Sequence, residues 1–160
     1  MQKGETKVIF GLILIAIISR LLPHPPNFAP ITSIALFSGF HLSNKRISIL
    51  IPLAGMFFSD IFIGLHSLMP VIYLSFVLIS VMSFYIKTIS IGNVILASTL
   101  FFIFSNLGVW YFNYPLTLSG LTTCFVLAIP FFVNSMAGDL FYTSVLQLSF
   151  KKIKSLSFSL

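Results

Sequence analysis

The chain has 160 residues, of which 58% are hydrophobic and only 8% charged, with a net charge of +6 at pH 7 and a mean hydropathy of +1.07. So little polar surface cannot coat a soluble globule, which excludes soluble enzymes and binding domains and leaves an integral membrane protein, one transmembrane domain over residues 1–160. The nine lysines and arginines stand in small groups beside apolar runs rather than on one basic face, so no nucleic-acid partner is expected.

Met1 to Lys7 is a short polar start, and Val8 to Leu22 is the first apolar run. A basic start before an apolar run resembles a signal peptide, but no A-x-A-like cleavage site follows, so the run is read as an uncleaved helix. It is short for a full span, and an interfacial or tilted helix is the alternative. Next comes the densest stretch of the chain, Arg20 to Ile31, with His24, Asn27 and four prolines at 23, 25, 26 and 30. Proline removes backbone donors and fixes φ, so this run predicts a rigid extended connector. Its expected place is the outer membrane surface, as the roof of a small-molecule site.

The remaining apolar runs predict further spans at about 28–42, 47–65, 71–86, 91–112 and 121–150, making an all-α bundle of six transmembrane helices with the first at 8–22. With the amino terminus inside, eight of the nine Lys and Arg residues fall on cytoplasmic segments: Lys3 and Lys7, Lys45 and Arg46, Lys87, then Lys151, Lys152 and Lys154. Only Arg20 lies outside. That asymmetry predicts both termini in the cytoplasm. The aromatics Trp110, Tyr111 and Tyr114 at the outer end of the fifth span fit the interfacial belt.

At about 1.5 Å per residue, Asp60 falls within about two turns of the outer surface. Arg20 and Asn106 come out at similar heights, and His24, Asn27, His66 and Trp110 slightly further out. Span six runs inward, which puts Asn134 near the midplane and Asp139 in the inner leaflet. Ionisable groups inside a bilayer are costly and point to function. Arg20 and Asp60 either neutralise one another or contact a ligand; Asn106 and Asn134 serve either as interhelical glue or as ligand contacts. Trp110 is an interface anchor or a stacking platform. Ala35 and Gly39 allow close helix approach in span two, as Gly55 and Gly64 do in span three. Pro52 and Pro130 lie inside spans three and six, where proline kinks a helix. Cys124 stands alone, which rules out an internal disulfide. The chain has no nucleotide loop, no zinc-protease motif, no nucleophile elbow and no pair of neighbouring carboxylates. No catalytic residue or cofactor is therefore expected. His24, His66 and Asp60 are the only set with the donor types to hold a divalent cation.

Four motifs carry a resemblance across nearly the whole chain. They are Arg20-x-x-Pro-His-x-x-Asn-x-x-Pro-Ile, Ala35-Leu-Phe-Ser-Gly39, Pro52-x-x-x-Met56-x-x-Ser-Asp60-x-x-x-Gly-x-His66, and Pro130-Phe-Phe-x-Asn134-x-x-x-Gly-Asp139. Together they resemble an uncharacterised family of small bacterial membrane proteins, which is similar in turn to the substrate-binding S components of energy-coupling-factor transporters. The resemblance implies a six-helix bundle in the bacterial inner membrane whose vitamin- or metal-binding site opens near the outer surface. It also implies a separate transmembrane coupling subunit and a pair of ATPases as partners. The chain departs from S components in lacking an alanine-x-x-x-alanine motif in its first helix, where only Gly11 and Ala16 are small. On the combined reading Arg20, His24, Asn27, Asp60, His66, Asn106, Trp110 and Asn134 contact the substrate, while Ala35, Gly39 and Asp139 serve packing or coupling. A structural subunit of a larger membrane complex, without a ligand of its own, is the alternative; an intramembrane enzyme is the weakest reading.

Overall fold

The computed structural model describes residues 3–157, with side chains described over 7–152. The charges expected of Lys3 and Lys154 therefore lie outside the described side chains. Six helices make up the described chain, and no strand occurs in it: α1 (Lys3–Leu21), α2 (Ile31–His41), α3 (Lys45–Ile63), α4 (Met69–Met82), α5 (Ile91–Asn113) and α6 (Leu118–Ser157). Three stretches, Lys45–Ile63, Ile91–Asn113 and Leu118–Lys152, are long and apolar enough to cross a membrane.

Local chemistry sets most of these boundaries. The Asn44 side chain caps α3 by accepting from the backbone N–H groups of Arg46 and Ile47 at 3.1 and 3.2 Å. Gly64, at φ 122°, ends α3 in a conformation that glycine adopts freely. Pro70 opens α4, where its missing N–H costs nothing. Ser90 caps α5 by accepting from the Asn93 N–H at 3.3 Å. Pro52 and Pro130 both sit inside helices, and α3 and α6 each run on past them.

The largest departure from expectation is α2. The predicted span of 28–42 is a helix of only 11 residues, about 16 Å long and roughly half the thickness of a bilayer core. Pro30 stops it early, since the ring cannot continue the hydrogen-bond ladder of a preceding turn. Every residue from Ile31 to Gly39 is buried, and α2 touches all five other helices. This short helix is the axis of the molecule. α4 is also short at 14 residues and ends at Met82 in a turn, well before the predicted Ile86. α6 is longer than expected, with 40 residues from Leu118.

Small residues let the helices close on that axis. A Cβ on Gly39 would lie 2.8 Å from the Ser80 carbonyl oxygen and 3.0 Å from the Ser83 Cβ, so α2 and α4 meet there without room for a side chain. Gly55 does the same for α3 against Ala16 of α1. The Gly55–Ala16 contact, together with Arg20 beside Asp60, makes α1 and α3 parallel neighbours. The core joins Ile34, Ala35 and Leu36 of α2 to Leu12, Ile51, Met56, Phe76, Ile79, Val94 and Ala97.

Candidate functional site

Because α2 starts deep in the bundle, the chain between Leu22 and Pro30 must fill the space above it as non-helical backbone. Irregular backbone inside a membrane protein needs protein cover or a cavity to face. Four of these nine residues are prolines with no N–H to satisfy, which lowers the number of donors that need partners. The segment turns on itself through the Phe28 N–H donating to the Pro25 carbonyl at 3.0 Å, with Asn27 in the left-handed region at φ 63°. Asparagine is among the few side chains that tolerate that conformation. Phe28 then lies against Gly138 of α6 and packs on the Phe141 and Tyr142 rings.

Two adjoining cavities open beneath this segment. The larger, about 370 Å³, lies between α5 and α6 and is lined by Ser105, Asn106, Tyr114 and Cys124 with the rings of Phe102, Phe131 and Phe132. The smaller, about 230 Å³, lies over the start of α2 and is lined by Arg20, His24, Ala29, Thr32, Met56 and Phe76. Asn27, Ile72, Phe101 and Ser135 border both. Phe76 and Phe101 stack at 4.9 Å between ring centroids, giving the shared wall a flat aromatic face. The mix of apolar wall and a few convergent polar groups is what small-molecule sites usually have.

Beside the smaller cavity stands a charged triad. Arg20 Nη2 reaches Asp60 Oδ1 at 2.6 Å, and the Tyr73 hydroxyl donates to Asp60 Oδ2 at 2.7 Å. Nη1 of Arg20 lies against the Met56 sulfur. Asp60 is fully enclosed, whereas the Arg20 side chain keeps 16% of its surface exposed. Asp60 therefore borders neither cavity and acts through the arginine it holds. The sequence does not single out Tyr73, and Met56 stands in it only as a position of the third motif, without a role. Their signal is slight: a tyrosine one turn into a helix that begins at Met69, and a methionine four residues before Asp60.

The other expected site residues divide. His24, with Nδ1 2.8 Å from the Pro25 carbonyl oxygen, and Asn27 and Asn106 line the cavities. Asn106 also donates from Nδ2 to the Phe102 carbonyl at 2.7 Å. Trp110 lines neither cavity; its indole N–H donates to the Pro115 carbonyl at 3.0 Å and ties α5 to the following turn. Asn134 likewise borders neither, and His66 is exposed in the connector between α3 and α4. Among the described residues no three His, Cys, Asp or Glu side chains come together as metal ligands, so His24, His66 and Asp60 are not one cation site. Lys45 donates to the Gly39 carbonyl at 2.8 Å and lies 4.8 Å over the Phe84 ring. It does not meet Asp139, which is fully buried and accepts from Ser98 Oγ at 2.7 Å. Asp139 thus faces the interior of the bundle rather than a partner surface.

A family model, described as Family of unknown function (DUF6580), matches residues 2–159. No curated protein and no solved structure matches the chain.

Proposed function

The chain belongs to that family of unknown function, so its role has to be read from its own geometry, and we propose that it is a membrane-embedded binding subunit for uptake of a small organic molecule. One observation carries the reading: two cavities share a wall of Asn27, Ile72, Phe101 and Ser135 under a rigid proline-rich cover. Stacked phenylalanines suit a flat ring system, and neutral amides and hydroxyls suit its hydrogen-bonding edge. Arg20 is already engaged by Asp60, so it fixes one end of the site more than it offers a free charge. With no clustered metal ligands among the described residues, a vitamin-like molecule fits better than a metal ion.

In this reading six helices cross a bacterial inner membrane with both termini in the cytoplasm, and the cavities open toward the outer surface. Release to the inside requires the bundle to reorient, driven by a separate coupling subunit and a pair of ATPases. The lack of a nucleotide loop in the chain itself favours borrowed energy.

The test is native mass spectrometry of the protein purified from its own host in mild detergent, wild type beside Ser135→Trp. Ser135 is buried on the shared wall, so an indole there fills the cavity. A small molecule on the wild type that is lost from a normally folded Ser135→Trp supports the reading. A stoichiometric membrane protein retained equally by both, with no small molecule on either, replaces it with the structural-subunit alternative.

A further inference from the structure

Asp139 lies outside the proposed cargo site and has no cation to balance it. Its side chain is wholly enclosed, and the one ion pair among the described side chains is the Arg20–Asp60 pair. Ser98 of α5 donates to Oδ2, the Thr32 hydroxyl of α2 lies beside the carboxyl group, and Oδ1 accepts no hydrogen bond. The Ser33 hydroxyl donates instead to the backbone carbonyl of Asp139 at 3.0 Å, and Thr143 donates to Ser33 at 3.0 Å.

No charge on the packed elements supplies the balance. α2 carries only His41 at its far end, nine residues beyond Thr32, or about 14 Å along the axis. α5 contains no Asp, Glu, Lys, Arg or His, and its only titratable group is Tyr111, thirteen residues past Ser98. On α6 itself the other titratable groups are Cys124, Tyr142, Lys151, Lys152 and Lys154, the nearest lysine twelve residues away, or about 18 Å. A bare carboxylate in such a place costs many kcal/mol.

What can neutralise this carboxylate follows from the packing. Thr32 and Ser135 border the smaller cavity, the outer one in the proposed orientation, and Thr143 borders a separate groove of about 280 Å³, the inner one, lined also by Ser90, Gln147 and Lys151. Asp139 borders none of these spaces. A metal ion needs several oxygen ligands and room to sit among them; a proton needs neither. We propose that Asp139 is a proton-binding site set in the wall between the outer cavity and the inner groove. The carboxylate takes up a proton from water to give the neutral acid, and gives it back only when α2, α5 and α6 part enough to admit water. Holding the proton removes a negative charge from behind Thr32, which is the floor of the smaller cavity. The inference does not depend on what the cavity carries.

The chain has only three carboxyl side chains, Glu5, Asp60 and Asp139, so infrared spectroscopy can read the answer directly. Purified protein at pH 7 should show the carbonyl stretch of a protonated carboxylic acid, and Asp139→Asn should lack it while unfolding at nearly the wild-type temperature. Should that variant fail to fold, wild-type protein carrying 13C-labelled aspartate must show the isotope-shifted acid band. A spectrum with only ionised aspartate overturns the proposal. So does a sodium-specific rise in the unfolding temperature of the wild type, measured against choline at equal ionic strength, since that assigns the site to a metal ion.

Discussion

Asp60 holds two partners at once, and each bond limits what the others can do. A carboxylate removed from water is tolerable only while its oxygens are paired, and here Arg20 takes one and Tyr73 the other. Removing the charge strands the guanidinium beside Met56, so Asp60→Asn is expected to cost about 3–5 kcal/mol, as broken buried pairs do. Tyr73→Phe deletes one hydrogen bond and leaves the ion pair intact, so its cost is about 1 kcal/mol. Thermal unfolding in detergent should rank the two in that order; equal effects would mean that the tyrosine, not the ion pair, organises the corner. Arg20 and Asp60 were legible in the sequence as the only acid and base at one depth. Tyr73 was not, because nothing in a run of apolar residues marks which tyrosine turns inward. The same limit hid Thr32 and Ser135, whose small polar side chains look alike wherever they stand in an apolar helix.

At the scale of the element, α2 decides the architecture, and its sequence says two things. Ile31 to Gly39 is small or apolar on every side, which suits a helix buried all round. The prolines before it say where it must begin. From sequence alone those prolines are a connector that roofs a site between two apolar runs, and the second run extends back to Phe28, because hydropathy continues smoothly through Phe28 and Ala29 and carries no signal of depth. Packing then sets the tolerance of this helix. Gly39 faces the Ser80 carbonyl and Ser83 with no room for a methyl group, and backbone cannot swing aside as a flexible side chain can. Gly39→Ala should therefore lower stability by about 1–3 kcal/mol, the cost of overpacking. Gly11, where an added Cβ meets nothing within 4 Å, is the control. Gly11→Ala should be neutral or slightly stabilising, since alanine favours a helix over glycine by about 1 kcal/mol, and matching losses at both positions would contradict the close α2–α4 contact.

For the whole molecule, charge and length give separate evidence on how the bundle sits in a bilayer. Three helices have the length and hydropathy to cross, while α2, with 11 residues, is too short to reach across by itself and is preceded by the proline-rich segment. The cations are unevenly shared: the connectors around Lys45, Arg46 and Lys87 are basic, and the turns at residues 64–68 and 114–117 contain no Lys or Arg, an asymmetry that predicts a single orientation with the basic connectors inside. Cys124 is the sole cysteine and is buried, so single reporter thiols can be read cleanly in a Cys124→Ala background. Leu116→Cys, exposed in the turn between α5 and α6, should react in intact cells with a membrane-impermeant thiol reagent, and Thr88→Cys should react only after the cells are opened. The Asn27→Cys variant separates two geometries of the cavity cover. Labelling from outside means that the proline-rich segment leaves a path to the cavities from the outer surface; protection at 27 with labelling at 116 means that the cover is closed, and that cargo must enter through a motion of residues 22–30.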